Sequence, residues 1–134
     1  MTVNVQGAAG KLDAWIDFNG DGAWGGPGEH IFASHDVVIG DNNLLIASSH
    51  VAHDCQIGNH TIMTNNVMLA GHVIVEDRAY MSGAAGAHQF CRIGTLAMVG
   101  GQAHMVKDVP PFVTIDGLSR LVVGLNLVGL RRAG

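Results

Sequence analysis

Seven polar side chains, six of them suited to acid–base chemistry, recur along this chain at separations close to multiples of three hexapeptides. His53 directly precedes Asp54, Asp54 and His72 are separated by three hexapeptides, and Gln89 follows His53 by six. An imidazole beside a carboxylate suits proton transfer near neutral pH, and further imidazoles suit contact with an anionic substrate. The set that this spacing assigns to one edge of the molecule is His50, His53, Asp54, His72, His88, Gln89 and His104.

Two other interpretations of these histidines remain open. A histidine at a corner of a solenoid is more often a solvated surface residue than a functional one. Imidazoles stacked about 5 Å apart along an axis could share a metal ion. Metal sites, however, usually need three or four converging ligands. Histidines stacked on flat coils would instead be spread along the axis. The spacing therefore favours acid–base chemistry over metal binding.

A hexapeptide repeat is the element that would bring these residues together. An aliphatic or small residue stands at every sixth position from Ile39 to Met105, and a second, mostly small residue follows each of them by four positions, from Asn43 to Val109. Neither a helix period nor strand alternation produces this series. Three such hexads make one coil, which buries its interior against neighbouring coils. We therefore predict a β-helix of about four coils over residues 35–116.

The composition agrees with a narrow solenoid. Charged residues make up 13% of the chain, aromatic residues make up 5%, and there are 19 glycines, which suits tight corners around a thin interior. The net charge of -4 excludes a global basic footprint for nucleic acid. No apolar run is long enough for a transmembrane helix, and no signal peptide is visible. We expect a cytoplasmic protein.

The two cysteines are expected to be buried thiols. Cys55 and Cys91 are separated by six hexads. That separation is two coils and therefore about 10 Å, whereas a disulfide requires Cα atoms within about 7 Å. Neither cysteine belongs to a close pair with zinc-ligand spacing. We therefore predict interior residues in a reducing compartment.

Residues 1–34 follow a different pattern, in which oxygen-bearing side chains alternate before a glycine. Such alternation is typical of the opening half of a calcium loop. It also fits a polar turn between two strands, because Asn-Gly and Asp-Gly are strong hairpin signals. Three spaced oxygen ligands exceed what a turn requires, so we favour calcium. The candidate ligands are Asp17, Asn19, Asp21 and Glu29.

The same stretch, WIDFNGDG followed by GEHIF, resembles the GEVED-type modules of large secreted or surface proteins. This resemblance covers about residues 8–45. It implies a partial β module over residues 1–34 with a calcium-type loop, after which the hexads begin.

The hexads end at Val109, where Pro110 and Pro111 follow. Proline cannot donate to a strand ladder. Residues 117–134 are rich in leucine and are predicted to be an apolar connection that runs into the start of a C-terminal helical segment.

Four stretches of the chain together resemble one enzyme family. They are HVAHDCQIGNHTIMTNNVMLAGHV, GAAGAHQFCRIGTLAMVGG, KDVPPFV and VGLNLVGLRRAG. Over about residues 36–134 they are similar to the acyl-carrier-protein–UDP-N-acetylglucosamine O-acyltransferases of lipid A synthesis. The resemblance implies a left-handed parallel β-helix, a homotrimer, and transfer of a 3-hydroxyacyl group from acyl carrier protein to the 3-hydroxyl of UDP-N-acetylglucosamine without a cofactor.

The resemblance also implies roles for individual residues. His53 would be the general base, Asp54 would orient it, and the backbone N–H of Gly71 would stabilise the oxyanion. Gly101 would leave room at the end of the acyl groove. The residues expected to hold the sugar nucleotide or the acyl oxygen are His50, His72, His88 and Gln89, and those expected to contact substrate from the C-terminal segment are Asn126 and Arg132.

A second hypothesis follows from the departures from this family. Its members carry many more coils before the HxAHD coil and continue into a C-terminal helical domain. The chain is therefore also compatible with a non-catalytic structural or binding β-helix fused to a calcium-loop module.

Overall fold

The computed structural model describes residues 9–15 and 30–134, with side chains described from residue 36 onward. It is mostly β-structure, with fifteen strands and one short helix in the described residues. None of the described helices combines the length and the hydropathy that a membrane crossing requires.

The strands form three parallel-stranded faces of a prism, which we name faces A, B and C. Face A contains β2 (His30–Ile39), β5 (Gln56–Ile57), β8 (Ile74–Val75) and β11 (Arg92–Ile93), with β1 (Ala9–Trp15) at its outer edge. Face B contains β3 (Leu44–Leu45), β6 (Ile62–Met63), β9 (Tyr80–Met81), β12 (Met98–Val99), β14 (Val113–Ile115) and β15 (Val122–Leu125). Face C contains β4 (His50–Val51), β7 (Met68–Leu69), β10 (Gly86–Ala87) and β13 (His104–Met105).

Strand register confirms the coil of three hexads. On face A, Ile39 pairs with Ile57, Ile57 with Val75, and Val75 with Ile93. The chain is thus a left-handed parallel β-helix of about four coils, as predicted. The last coil is shorter, because Ile93 bridges to Val109, where a full coil would bring Pro111.

The interior is filled by the two predicted residue series. From Ile57 to Val109 nearly every member of both series is buried, and together they form one hydrophobic cluster. The first coil is more open, and Leu45 is 37% exposed. It pairs with Met63 on one side only, because β3 is the edge strand of face B.

The corners share a backbone conformation that was not predicted. One non-glycine residue in every six, from Asn42 to Gln102, has a positive φ between 54° and 66°. Asparagine and aspartate tolerate this left-handed region best. Here it is also occupied by residues as large as Arg78 and Phe90. Each corner therefore projects a side chain outward at the same place in every coil.

The two cysteines lie inside, as expected. Cys55 and Cys91 are both free thiols, and they are 0% and 5% exposed. Burial is the main cause that raises the pKa of both thiols above the ordinary value. Both side chains therefore act as small interior fillers.

The N-terminal strands form an antiparallel hairpin that continues into the solenoid. β1 pairs with β2 from Ala9 opposite Val38 to Trp15 opposite His30. β2 runs unbroken across the predicted boundary at residues 34/35 before pairing with β5. The predicted calcium ligands Asp17, Asn19, Asp21 and Glu29 lie outside the described residues.

The C-terminal segment ends in the predicted helix start. β15 pairs antiparallel with β14, and α1 (Leu127–Ala133) follows. Asn126 caps α1, since its side chain accepts a hydrogen bond from the Gly129 N–H at 2.9 Å. The predicted apolar connection contains a strand, Val122–Leu125, that the sequence analysis did not anticipate.

Candidate active site

The corner between faces C and A, residues 52–55, 70–73 and 88–91, holds the principal polar cluster. His53 Nδ1 lies 2.7 Å from Asp54 Oδ2, and the two side chains are 31% and 26% exposed. They follow β4 directly, and the His72 N–H donates to the His53 carbonyl at 3.0 Å. Hydrogen bonding between coils thus brings residues of successive coils onto one corner, as the spacing predicted.

His72 completes the cluster in the next coil. Its Nε2 lies 3.7 Å from Asp54 Oδ2, and its ring meets that of His53 edge-on, with centroids 5.1 Å apart and planes at 90°. Asp54 therefore faces two imidazoles.

Gly71 lies directly beneath the His53 ring. A β-carbon at residue 71 would stand 2.6 Å from His53 Cε1 and 2.7 Å from Nε2, so only glycine admits the ring in this position. Among the described residues, none accepts a hydrogen bond from the Gly71 N–H. A backbone donor is therefore available beside the ring nitrogen that Asp54 does not engage.

Other predicted residues lie around this corner without joining the cluster. His88 and Gln89 are exposed one coil beyond His72, and the His88 ring lies 3.3 Å from the Gln89 carbonyl. His50 and His104 begin β4 and β13, on face C and not on the corner. The predicted single edge is thus a corner together with the adjoining face.

Three further predicted residues lie at other corners. Gly101 is at the corner between faces B and C, where a β-carbon would contact the Gly83 carbonyl at 3.4 Å. Asn126 donates to the Leu96 carbonyl at 2.8 Å, at the corner between faces A and B. Arg132 lines a cleft of about 670 Å³ between face B and α1. Within one chain, Asn126 and Arg132 are not assembled with His53.

A metal ion is the other ligand that this cluster fits. The donor atoms of His53, Asp54 and His72 lie within 4.8 Å of one another. The 2.7 Å contact between His53 and Asp54 already has the length of a charge-assisted hydrogen bond. The geometry therefore favours an oriented base over a metal site.

Phe90 is a member of this corner that the sequence prediction missed. Its ring stacks on His72 with centroids 4.7 Å apart and planes inclined by 11°. A large exposed aromatic residue in a chain with so few aromatics was the available signal.

Two family models match parts of this chain. Residues 36–71 match the family model described as bacterial transferase hexapeptide, six repeats. Residues 108–134 match the model described as UDP N-acetylglucosamine O-acyltransferase, domain 2.

Three similar proteins are all named as UDP-N-acetylglucosamine acyltransferases. The acyl-[acyl-carrier-protein]–UDP-N-acetylglucosamine O-acyltransferase of Gloeothece citriformis is 55% identical over 96 residues, which are 72% of this chain and 35% of that protein. The enzyme of the same name from Sinorhizobium fredii is 53% identical over 97 residues, 72% of this chain and 36% of that protein. The solved UDP-N-acetylglucosamine acyltransferase of Arabidopsis is 50% identical with a TM-score of 0.73, over 77% of this chain and 36% of that chain. The chain thus spans just over a third of the length of these relatives.

Proposed function

We propose that this chain carries the catalytic corner of an acyltransferase that moves a 3-hydroxyacyl group from acyl carrier protein to the 3-hydroxyl of UDP-N-acetylglucosamine. One observation carries the proposal: the His53 ring is held by Asp54 on one nitrogen and lies over Gly71 on the other side. The names of the relatives supply the reaction, and the corner supplies groups that suit it.

His53 would act as the general base. An ionised Asp54 accepts a hydrogen bond from Nδ1–H of His53, which fixes the tautomer and places the ring's lone pair on Nε2. As the sugar oxygen attacks the thioester carbonyl carbon, its proton passes to Nε2. When the carbon–sulfur bond breaks, the same proton passes to the departing thiolate.

The Gly71 N–H would stabilise the negative charge that develops on the thioester oxygen. This donor is next to the His53 ring and has no acceptor among the described residues. A preorganised backbone donor at such a position stabilises a tetrahedral intermediate more than the ground-state carbonyl. Other corner N–H groups of the described part of the chain also lack an acceptor, so what distinguishes Gly71 is its place beside His53.

The remaining predicted contacts surround this centre. His50, His72, His88 and Gln89 would bind the sugar nucleotide or the acyl oxygen, and Gly101 would leave space for the acyl chain. No cofactor is required by this chemistry, because base and oxyanion donor both come from the chain.

A homotrimer would bring the other contacts to the site. Asn126 and Arg132 lie away from His53 in one chain and would reach substrate at a neighbouring subunit. The C-terminal segment also exposes several large apolar side chains, which assembly would cover. They are Leu118, Leu121, Val122, Val123, Leu125, Leu127 and Val128. Light scattering at micromolar concentration should give three chains per particle, and a monomer would contradict this proposal.

The direct test is an acyl-transfer assay of the chain itself with UDP-N-acetylglucosamine and 3-hydroxyacyl carrier protein. Formation of the O-acylated sugar nucleotide is expected. Absence of product from a folded trimer would instead favour the non-catalytic β-helix hypothesis. The proposed reaction takes place in the cytoplasm, where acyl carrier protein donors would be met.

We propose separately that Asp17, Asn19, Asp21 and Glu29 bind calcium weakly. This proposal rests on the sequence pattern, because the four residues lie outside the described residues. Calorimetry should give a dissociation constant of roughly 10⁻⁴ to 10⁻³ M. The double variant Asp17→Ala, Asp21→Ala should show no heat. Flat traces for both proteins would leave the segment as a turn.

A further inference from the structure

Phe90 occupies a costly position that its own environment does not explain. Its side chain is 67% exposed, and its backbone has a φ of 66°, in the left-handed region that large side chains rarely adopt. An exposed phenylalanine gains little from burial. Because the corners of the other coils share this conformation, the feature that points to a role is an exposed aromatic ring among the polar side chains of this corner.

The contact that Phe90 makes is directed at the imidazole of His72. The two rings lie nearly parallel, 11° apart, with centroids separated by 4.7 Å, which is the offset-stacked arrangement that aromatic pairs favour. The rings of His72 and His53 are instead perpendicular, with their planes at 90°. His72 is thus stacked on one neighbour and edge-on to the other.

Without Phe90, little else would fix the His72 ring. The His72 side chain is 42% exposed, and its Nε2 is 3.7 Å from Asp54 Oδ2, beyond ordinary hydrogen-bond length. Terminal torsions of histidine are broad, so an ion-pair contact at this distance tolerates many ring orientations. Stacking on the flat ring of Phe90 allows far fewer orientations of the His72 ring.

We propose that Phe90 is a positioning residue: by stacking on His72 it holds that imidazole against Asp54 and edge-on to His53. The order of contacts is Phe90 to His72, His72 to Asp54, and Asp54 to His53. Its consequence for catalysis rests on the proposed acyl transfer, whereas its consequence for ring geometry does not.

Three variants test this proposal. Phe90→Leu keeps an apolar side chain and removes the ring, whereas Phe90→Tyr keeps the ring. Phe112→Leu is the matched control, because Phe112 is also exposed and has a φ of 65°, but lies at the corner between faces A and B. The two leucine variants therefore change the same residue type in the same backbone conformation.

The first measurement is the proton NMR signal of the imidazole Cε1–H groups, with His72 and His53 assigned by their loss in substituted proteins. In Phe90→Leu the His72 signal should move downfield as the ring current is lost, and the His53 signal should move with it. Phe90→Tyr should retain the wild-type positions, and Phe112→Leu should leave both unchanged. Unchanged signals in Phe90→Leu, or equal changes in Phe112→Leu, would overturn the proposal.

The second measurement is kcat/KM for acyl transfer. We expect a roughly two- to tenfold loss in Phe90→Leu, the size of one aromatic pair, with recovery in Phe90→Tyr. Moved signals with an unaltered kcat/KM in an active enzyme would contradict a positioning role. If the wild-type chain transfers no acyl group, the proposed function fails, and the NMR signals alone decide whether Phe90 orders the two rings.

Discussion

The corner between faces A and B and the corner between faces C and A have the same backbone and comparable polar composition, yet they use their side chains differently. At the A–B corner, residues 40–43, 58–61, 76–79 and 94–97, side chains cap the corner N–H groups of neighbouring coils. The Asp41 N–H donates to Asn59 Oδ1 at 2.8 Å, and the Asn59 N–H donates to Asp77 Oδ1 at 2.7 Å. Polar side chains there tie one coil to the next.

At the C–A corner, side chains from residue 36 onward do not cap the corner N–H groups in this way. Among the described residues, no side chain accepts from the N–H of Gly71 or of Gln89. The polar side chains instead contact one another, His53 with Asp54 and Asp54 with His72. The N–H groups of Gly71 and Gln89 are therefore not used to join coils. The comparison teaches that the corner proposed as the site leaves uncapped the N–H groups that the A–B corner uses to tie one coil to the next.

Gly71→Ala is expected to have a large effect that separates the two corners. Its β-carbon would displace the His53 ring, and a misplacement of about 1 Å can cost roughly 10²-fold in rate. Gly83→Ala is the control at the same place in its hexad, at the corner between faces B and C, because its β-carbon would meet nothing closer than 3.7 Å. Rates of acyl transfer and thermal unfolding of both variants check this. Equal rates for the two variants would contradict the placement of His53.

For Asn59→Ala at the A–B corner, we expect a loss of stability without a loss of transfer rate. This change removes the acceptor of the Asp41 N–H, and we expect a loss of about 1 kcal/mol in the free energy of unfolding. The transfer rate per folded molecule should not change. Denaturant titration and the transfer assay measure the two quantities. A variant that loses rate and keeps its stability would remove the distinction between the corners.

The smallest effect concerns the pH dependence of the A–B corner. The pKa of Glu76 lies below its ordinary value of 4.5, chiefly because Arg92 donates to Oε1 at 2.7 Å and because Thr95 donates to Oε2. A lowered folded-state pKa stabilises the protein fully above the ordinary value, and that stabilisation disappears as pH falls through the folded-state pKa. Glu76→Gln should therefore cost about 0.2 to 1 kcal/mol at pH 7, since the pair is solvent-exposed.

At pH 3 the same substitution should cost less than at pH 7. Denaturant titrations of both proteins at both pH values measure the difference. A cost that is equal at the two pH values would show that the carboxylate charge contributes nothing to this corner.

Much of the fold was predictable because every hexad repeats one requirement. An interior position must be apolar or small, so the series from Ile39 to Met105 predicts the coil length, the three faces and the core. The corner conformation was not predictable, because a left-handed residue that points into solvent can be of almost any type, as Arg78 and Ala84 show. β15 was missed because a short apolar run such as Val122–Leu125 fits a strand and a helix start equally well.

The spacing predicted which residues of successive coils come together at the site, but it did not predict how their rings are oriented. A spacing of three hexads is enough to bring Asp54 and His72 together. It does not predict that Gly71 underlies His53 or that Phe90 stacks on His72, because both depend on side-chain torsions. Corner and face positions also lie close together in each hexad, so His50 and His104 were assigned to the edge although they lie on face C.

The rate of acyl transfer by wild type and by His53→Ala tests the central claim most directly. The central claim is that His53, held by Asp54 beside Gly71, takes the proton of the attacking hydroxyl. The substitution should lower the rate by about 10² to 10⁴, the contribution of a general base, without unfolding the protein. A folded His53→Ala protein that transfers the acyl group at the wild-type rate would contradict the claim.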